Sequence, residues 1–172
     1  MTYYSHSKID VDGKTYGSKE LQVHISGVKE KALFHLAENL SLGYSNEELQ
    51  EILEIAVNFH DLGKYTSFFQ NYLLNQKPID FLLKRHAQLG GFVAYNYFER
   101  KEDKKALLAL YIIFLHHSPL IDVLEISSKL GDDLERIIEK QREDLMLNFS
   151  SIEKDLGIKN IQDSLFYTEE KK

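Results

Sequence analysis

Cysteine is absent from this chain, which excludes disulfides and every thiolate metal site. A bound metal would therefore rest on nitrogen and oxygen donors alone. Proline is nearly absent, occurring only at Pro78 and Pro119, so long stretches contain nothing that interrupts a helix. No uninterrupted apolar run approaches the roughly 20 residues that a membrane span requires. The segment Met1–His6 has no basic region followed by an apolar stretch, so it does not read as a signal peptide. A cytoplasmic location without a membrane partner is the expectation. Positive charge is the minority sign, with 21 Lys and Arg against 27 Asp and Glu and a net charge of −6. That balance argues against binding through a broad basic surface, yet it leaves open a phosphate substrate whose charge bound cations offset locally. With 172 residues, 43% hydrophobic and 28% charged, residues 1–172 fit one folded domain.

The chain is rich in helical periodicity. Leu21, Ile25, Val28, Ala32 and Leu36 recur at three- and four-residue steps and form one apolar stripe, closed by Gly43. Ser45 with Glu48 reads as a capping box for a second helix through Leu49, Ile52, Leu53, Ala56 and Phe59, ended by Gly63. Thr66 or Ser67 starts a shorter helix through Phe69 and Leu73, which the turn around Pro78 closes. A further helix is expected from about Leu83 to Arg100, with Gly90-Gly91 allowing a neighbour to pack closely. After a charged turn at Glu102-Asp103-Lys104-Lys105, another stripe runs through Leu107, Leu110 and Phe114 to Ser118-Pro119. Leu134, Ile137, Ile138 and Leu145 predict a last long helix, and the tail from Lys154 is polar and weakly patterned. Strand-like alternation is confined to the stretch near Met1–Tyr16. The expected fold is all-α.

The seven histidines carry the functional signal. His60-Asp61 and His116-His117 are adjacent pairs, each at the C-terminal end of an apolar helix, where the backbone can turn both side chains into one pocket. A lone buried histidine is more often a hydrogen-bonded core residue than a ligand, and His86 or His24 taken singly falls under that rule. Two such pairs plus further histidines on successive helices are better explained by one shared metal site, as helical bundles build them. Imidazole with carboxylate suits iron, manganese, nickel, cobalt or zinc. His35 competes with His24 for the first helix; the two lie roughly 16 Å apart along the axis, so one site cannot use both. His6 sits in strand or coil with no visible partner.

The run Asn58-Phe59-His60-Asp61-Leu62-Gly63-Lys64, followed by Phe68-Phe69-Gln70-Asn71-Tyr72-Leu73, closely resembles the HD nuclease domain of the type I CRISPR interference helicase-nuclease. His-Asp-x-Gly-Lys is shared with wider HD phosphohydrolases, and the aromatic-Gln segment narrows the match. Leu21-Gln22-Val23-His24 is similar to that family's first-helix His motif, which selects His24 over His35. Lys84-Arg85-His86-Ala87, with Gly90-Gly91 after it, is similar to the middle His motif, and Leu115-His116-His117-Ser118-Pro119 to the His-His motif. The resemblance covers about residues 18 to 120. It departs at the end, where the family closes with an Asp in an apolar helix. Here the late candidate is Asp163, which reads better as a solvated residue; either the end has diverged or the chain stops before the family's Asp.

The resemblance implies an HD-domain helical bundle with one or two divalent ions (Mn, Ni, Co, Fe or Mg) between helices. His24, His60 and Asp61 would hold one ion and His86, His116 and His117 a second, with Asp61 bridging. Two ions about 3.5–4 Å apart can clamp a phosphodiester and activate water, so no nucleophilic side chain is required. Lys64 would neutralise charge on the phosphate, or serve merely as a surface cation at a helix end. The implied substrate is single-stranded DNA, cut endo- or exonucleolytically in antiviral defence, with the CRISPR helicase and surveillance complex as partners. Phe68, Phe69 and Tyr72 read first as core and second as base-stacking platforms. Two other readings fit the same motifs: a phosphohydrolase of nucleotides or cyclic nucleotides, and a non-catalytic metal-binding helical module.

Overall fold

The computed structural model describes residues 2–36, 43–98, 103–119, 122 and 133–165. Its first element is an antiparallel hairpin of β1 (Tyr4–Ile9) and β2 (Thr15–Glu20); β1 lies in the stretch where the sequence alternates, and β2 runs on past its expected end at Tyr16. The Asp10 carboxylate accepts from the backbone N–H groups of Asp12 and Lys14 and so shapes the connecting turn. The ladder is irregular on both sides of His6, a bulge that redirects side chains locally. Leu21 N–H donates to the Tyr3 carbonyl at 2.8 Å, which ties the hairpin to the start of the first helix.

Among the described residues the remaining regular structure is helical: α1 (Leu21–Leu36), α2 (Asn46–Phe59), a 3-10 turn (Leu62–Tyr65), α3 (Ser67–Leu73), α4 (Ala87–Tyr97), α5 (Asp103–Leu115), α6 (Leu134–Met146), α7 (Phe149–Leu156) and α8 (Ile161–Leu165). The fold is all-α with one small sheet. The capping box at the start of α2 is present in both halves, Glu48 N–H to Ser45 Oγ and Ser45 N–H to Glu48 Oε2. Thr66 caps α3 by accepting from Phe69 N–H. The apolar stripes expected on α1, α2 and α6 meet in one core, with Leu21, Ile25, Ile52, Phe59, Ile138 and Leu145 buried beside Leu89. On α5 the buried face is instead Ala106, Ala109 and Ile113; the expected Leu107 is 48% exposed, and Leu110 and Phe114 are half-buried, because small residues let α5 lie close to Gly90-Gly91 of α4. No described helix is long and apolar enough to cross a membrane.

Three boundaries differ from the sequence expectation. The helix expected from Leu83 begins only at Ala87, because the preceding carbonyls are engaged elsewhere: the buried Gln141 side chain donates to Leu83 O at 2.9 Å and Arg85 O at 2.7 Å. Its expected end at Arg100 lies outside the described residues. The charged segment expected as a turn instead opens α5 from Asp103 onward, Glu102 lying outside the described residues. The tail from Lys154 is helical and packed as far as Leu165. Gly157 at φ +66° ends α7, and Ile152, Leu156, Ile161 and Leu165 are buried from both sides of that break. Short helices around a left-handed glycine break the 3.6-residue period, which hides their apolar face from a pattern search.

Candidate metal centre

Two helix ends and one turn converge on Asp61. α2 stops at Phe59 and α5 at Leu115, so His60-Asp61 and His116-His117 each follow directly on a helix C-terminus. The same device orients both rings. His60 Nδ1 lies 2.7 Å from Val57 O, and His116 Nδ1 lies 2.6 Å from Ile113 O, the carbonyl three residues back in each case. A carbonyl only accepts, so each Nδ1 carries the proton and each Nε2 turns away from its helix with a lone pair free.

Glycines set the distances between these ends. A Cβ on Gly90 would overlap the Phe59 carbonyl oxygen, so only glycine lets α4 lie against the end of α2. A Cβ on Gly63 would stand 2.5 Å from His86 Cα and 2.7 Å from His86 O, so the turn after Asp61 rests directly on the His86 backbone. The Gln of the aromatic segment is a staple. Buried Gln70 accepts from Tyr4 N–H and donates to Tyr4 O and Lys64 O, joining hairpin, α3 and the Lys64 turn.

The result is a carboxylate with 0% exposure ringed by nitrogens. Asp61 Oδ2 faces Lys64 Nζ at 2.9 Å, His24 Nε2 at 3.1 Å and His60 Nε2 at 3.3 Å. Asp61 Oδ1 faces His86 Nε2 at 3.3 Å and His116 Nε2 at 3.6 Å. None of these approaches has hydrogen-bond geometry: both Asp61 oxygens, His86 Nε2 and His116 Nε2 are buried without a partner. His117 joins the Oδ1 side, its ring 3.9 Å from that of His116 and 5.0 Å from that of His86. Two groups of donor atoms thus form, His24 with His60 and Asp61, and Asp61 with His86, His116 and His117, each within 4.8 Å.

Buried lone pairs that face a buried carboxylate repel it unless a cation lies between them. Burial alone would raise the Asp61 pKa, but the Lys64 ammonium 2.9 Å away favours the charged form, and the carboxyl lies below its ordinary value. Burial pushes His86 down to about 3, against the opposing pull of Asp61, and Lys64 lowers it further. Burial and the neighbouring His116 push His117 down as well. An ionised carboxylate with neutral imidazoles is the protonation state that binds a divalent metal. The donors present therefore fit one.

The structure brings together His24, His60, Asp61, Lys64, His86, His116 and His117 and leaves His35 and Asp163 out. His35 is exposed near the other end of α1, and Asp163 is exposed on α8. Lys64 is not the surface cation that a helix-end position suggested, because its side chain is only 8% exposed and points at Asp61. Of the aromatics, Phe69 is core, whereas Tyr72 is 47% exposed. One residue that the sequence left without a partner belongs here: His6, whose ring is 5.5 Å from His24, lines the same cavity as His60, Asp61 and Lys64. Burial, then His24 and Lys64, lower its pKa. Its sequence signal was slight, a place in the strand-like stretch beside a helix carrying His24 in its first turn.

No family model and no solved structure matches the chain. Two curated proteins do, both named CRISPR-associated endonuclease Cas3-HD. The one from Pyrococcus furiosus is 22% identical over 120 residues, covering 63% of this chain and 50% of that protein. The one from Methanocaldococcus jannaschii is 26% identical over 95 residues, covering 53% of this chain and 38% of that protein. The chain spans half or less of the length of these relatives. Their likeness, with the His and Asp motifs gathered around Asp61, supports an HD nuclease domain of the Cas3 type.

Proposed function

We propose that this chain is a metal-dependent HD-family hydrolase that cuts phosphodiester bonds of single-stranded DNA in CRISPR interference. The helicase and the surveillance complex would be its partners. One observation carries the reading: the fully buried Asp61 carboxylate directs each oxygen at a separate group of imidazoles, with no hydrogen-bond partner on either side. His24, His60 and Asp61 would hold one divalent ion and Asp61, His86, His116 and His117 a second, with Asp61 shared. Such a pair supplies a water-derived nucleophile near neutral pH and offsets charge on the phosphate. A donor set of five imidazoles and one carboxylate favours manganese, iron, cobalt or nickel over magnesium, which prefers oxygen ligands.

The remaining work falls to the chain's own groups. Val57 O and Ile113 O fix the rings of His60 and His116, so no reorientation precedes binding. Lys64, whose ammonium stands against Asp61, is placed to exchange that carboxylate for a phosphate oxygen as the substrate enters. Cavities lie on both sides of the centre, share His117 in their lining and are open to solvent. Openness favours a strand passing across the site over an enclosed nucleotide.

The test is to strip the protein of metal, restore manganese, nickel, cobalt, iron or magnesium singly, and offer single-stranded DNA, duplex DNA, nucleotides and cyclic nucleotides. Cutting of the single strand only with metal is expected. Nucleotide turnover without DNA cutting would replace this reading with a nucleotide phosphohydrolase, and no hydrolysis with any metal would overturn it.

A further inference from the structure

We propose that the turn of residues 81–86, with Tyr72 opposite it, is a strand-binding subsite that stacks unpaired bases and pairs with their phosphates on the His86 side of the centre. This rests on the hydrolytic reading above and adds to it the groups that select an unpaired strand. Beside His86 and His117 lies an open cavity of about 650 Å³, whose walls include Phe69, Tyr72, Phe81, Lys84 and Arg85. Tyr72 is 47% and Phe81 61% exposed. Two large rings left this far in water at one rim form an apolar surface that only Lys84 and Arg85 partly overlie among the described residues.

The cations are interleaved with the rings. Lys84 Nζ lies 4.0 Å from the Tyr72 ring centre and 5.0 Å from that of Phe81, and Arg85 Cζ lies 5.1 Å from Phe81. On a chain with net charge −6, Lys84 and Arg85 set two adjacent cations at the mouth of the candidate metal centre. Flat aromatic faces with adjacent cations match a polymer that alternates flat bases and phosphates, and the match is indifferent to base identity. An acidic peptide would use the cations and leave the rings unexplained.

The turn is also held in place. Gln141, with no exposure, commits its amide to Leu83 O and Arg85 O, while Asp80 accepts from Leu82 N–H. This bracing keeps residues 83–86 out of the helix that their sequence suggests and leaves Phe81, Lys84 and Arg85 facing the groove. His86 follows immediately and faces Asp61. A strand seated on the turn therefore delivers its next phosphate to the centre.

The experiment measures binding of the full chain to a short oligothymidylate and to an abasic strand of equal length, for wild type, Tyr72→Ala, Phe81→Ala, Lys84→Gln and Arg85→Gln. Wild type should prefer the thymidine strand by tenfold or more. Each aromatic variant should shrink that preference, since one stacked base is worth roughly five- to hundredfold in affinity. The two cation variants should weaken both strands alike and lower the salt slope by about 0.7 for each phosphate no longer neutralised. Circular dichroism spectra of the variants should match wild type, so that a vanished preference reports on the groove and not on folding. Aromatic variants that keep the full preference, or a wild type that binds both strands equally, overturn the subsite. A protein that keeps the preference but hydrolyses nothing with any metal would retain the subsite and lose the hydrolytic reading; metal-dependent cutting without the preference would do the reverse.

Discussion

Gly63→Ala adds a methyl group where the His86 backbone already stands. The new carbon would lie 2.5 Å from His86 Cα and 2.9 Å from His86 Cβ. Non-bonded carbons settle at about 3.5–4.0 Å, so His86 has to retreat by roughly 1 Å. Overpacking of this kind costs about 1–3 kcal/mol. For a chain of this length each kcal/mol lowers the melting temperature by roughly 2–4 °C, so a fall of about 2–12 °C is expected. The larger effect falls on the site. His86 Nε2 now faces Asp61 Oδ1 at 3.3 Å. Imidazole reaches a metal at about 2.0–2.1 Å, a span that a displacement of this size defeats. Scanning calorimetry of the metal-free protein and calorimetric titration with manganese measure both consequences. Melting and manganese affinity equal to wild type would refute the argument that Gly63 sets the His86 position.

Two further outcomes follow from the same geometry. Lys64→Met keeps the stem but removes the ammonium 2.9 Å from buried Asp61, so the metal-free protein should lose about 3–5 kcal/mol in urea unfolding. Saturating manganese should restore most of that loss by supplying another cation, and an equal loss with and without metal would contradict it. Acid should destabilise the metal-free fold through His86, whose pKa falls from 6.5 unfolded to about 3 folded. The folded chain refuses a proton that the unfolded chain accepts, so this stability is complete above pH 6.5 and drains away as pH falls toward 3. Unfolding curves across that window should flatten in His86→Gln, and an unchanged slope would count against a neutral buried His86.

What the sequence made legible is what local rules encode. The Ser45–Glu48 box, the Thr66 cap and the apolar stripes of α1, α2 and α6 each depend on neighbours within one or two turns, and each formed as expected, whereas α5, apolar nearly all round, turns Ala106, Ala109 and Ile113 to the core instead of Leu107, Leu110 and Phe114. The His and Asp motifs were legible as chemistry because paired donors at helix ends are hard to explain otherwise. What stayed hidden is non-local. Gln141 holds the turn at 83–85 from across the chain, and a helical pattern cannot register a carbonyl engaged that far away. Lys64 is buried only because the turn after Asp61 packs inward onto His86. His6 reaches the centre through a bulged strand pairing, invisible to periodicity.

Asp61 as the shared anion of two imidazole groups is the central claim, and Asp61→Asn tests it most directly because shape is kept while the charge is removed. The measurement is the number of manganese ions bound at equilibrium by wild type and variant, read alongside cutting of single-stranded DNA. The account predicts that binding at both groups weakens together in the variant and that metal-dependent cutting disappears with it. Retention of the full manganese complement and of cutting by Asp61→Asn would contradict the account.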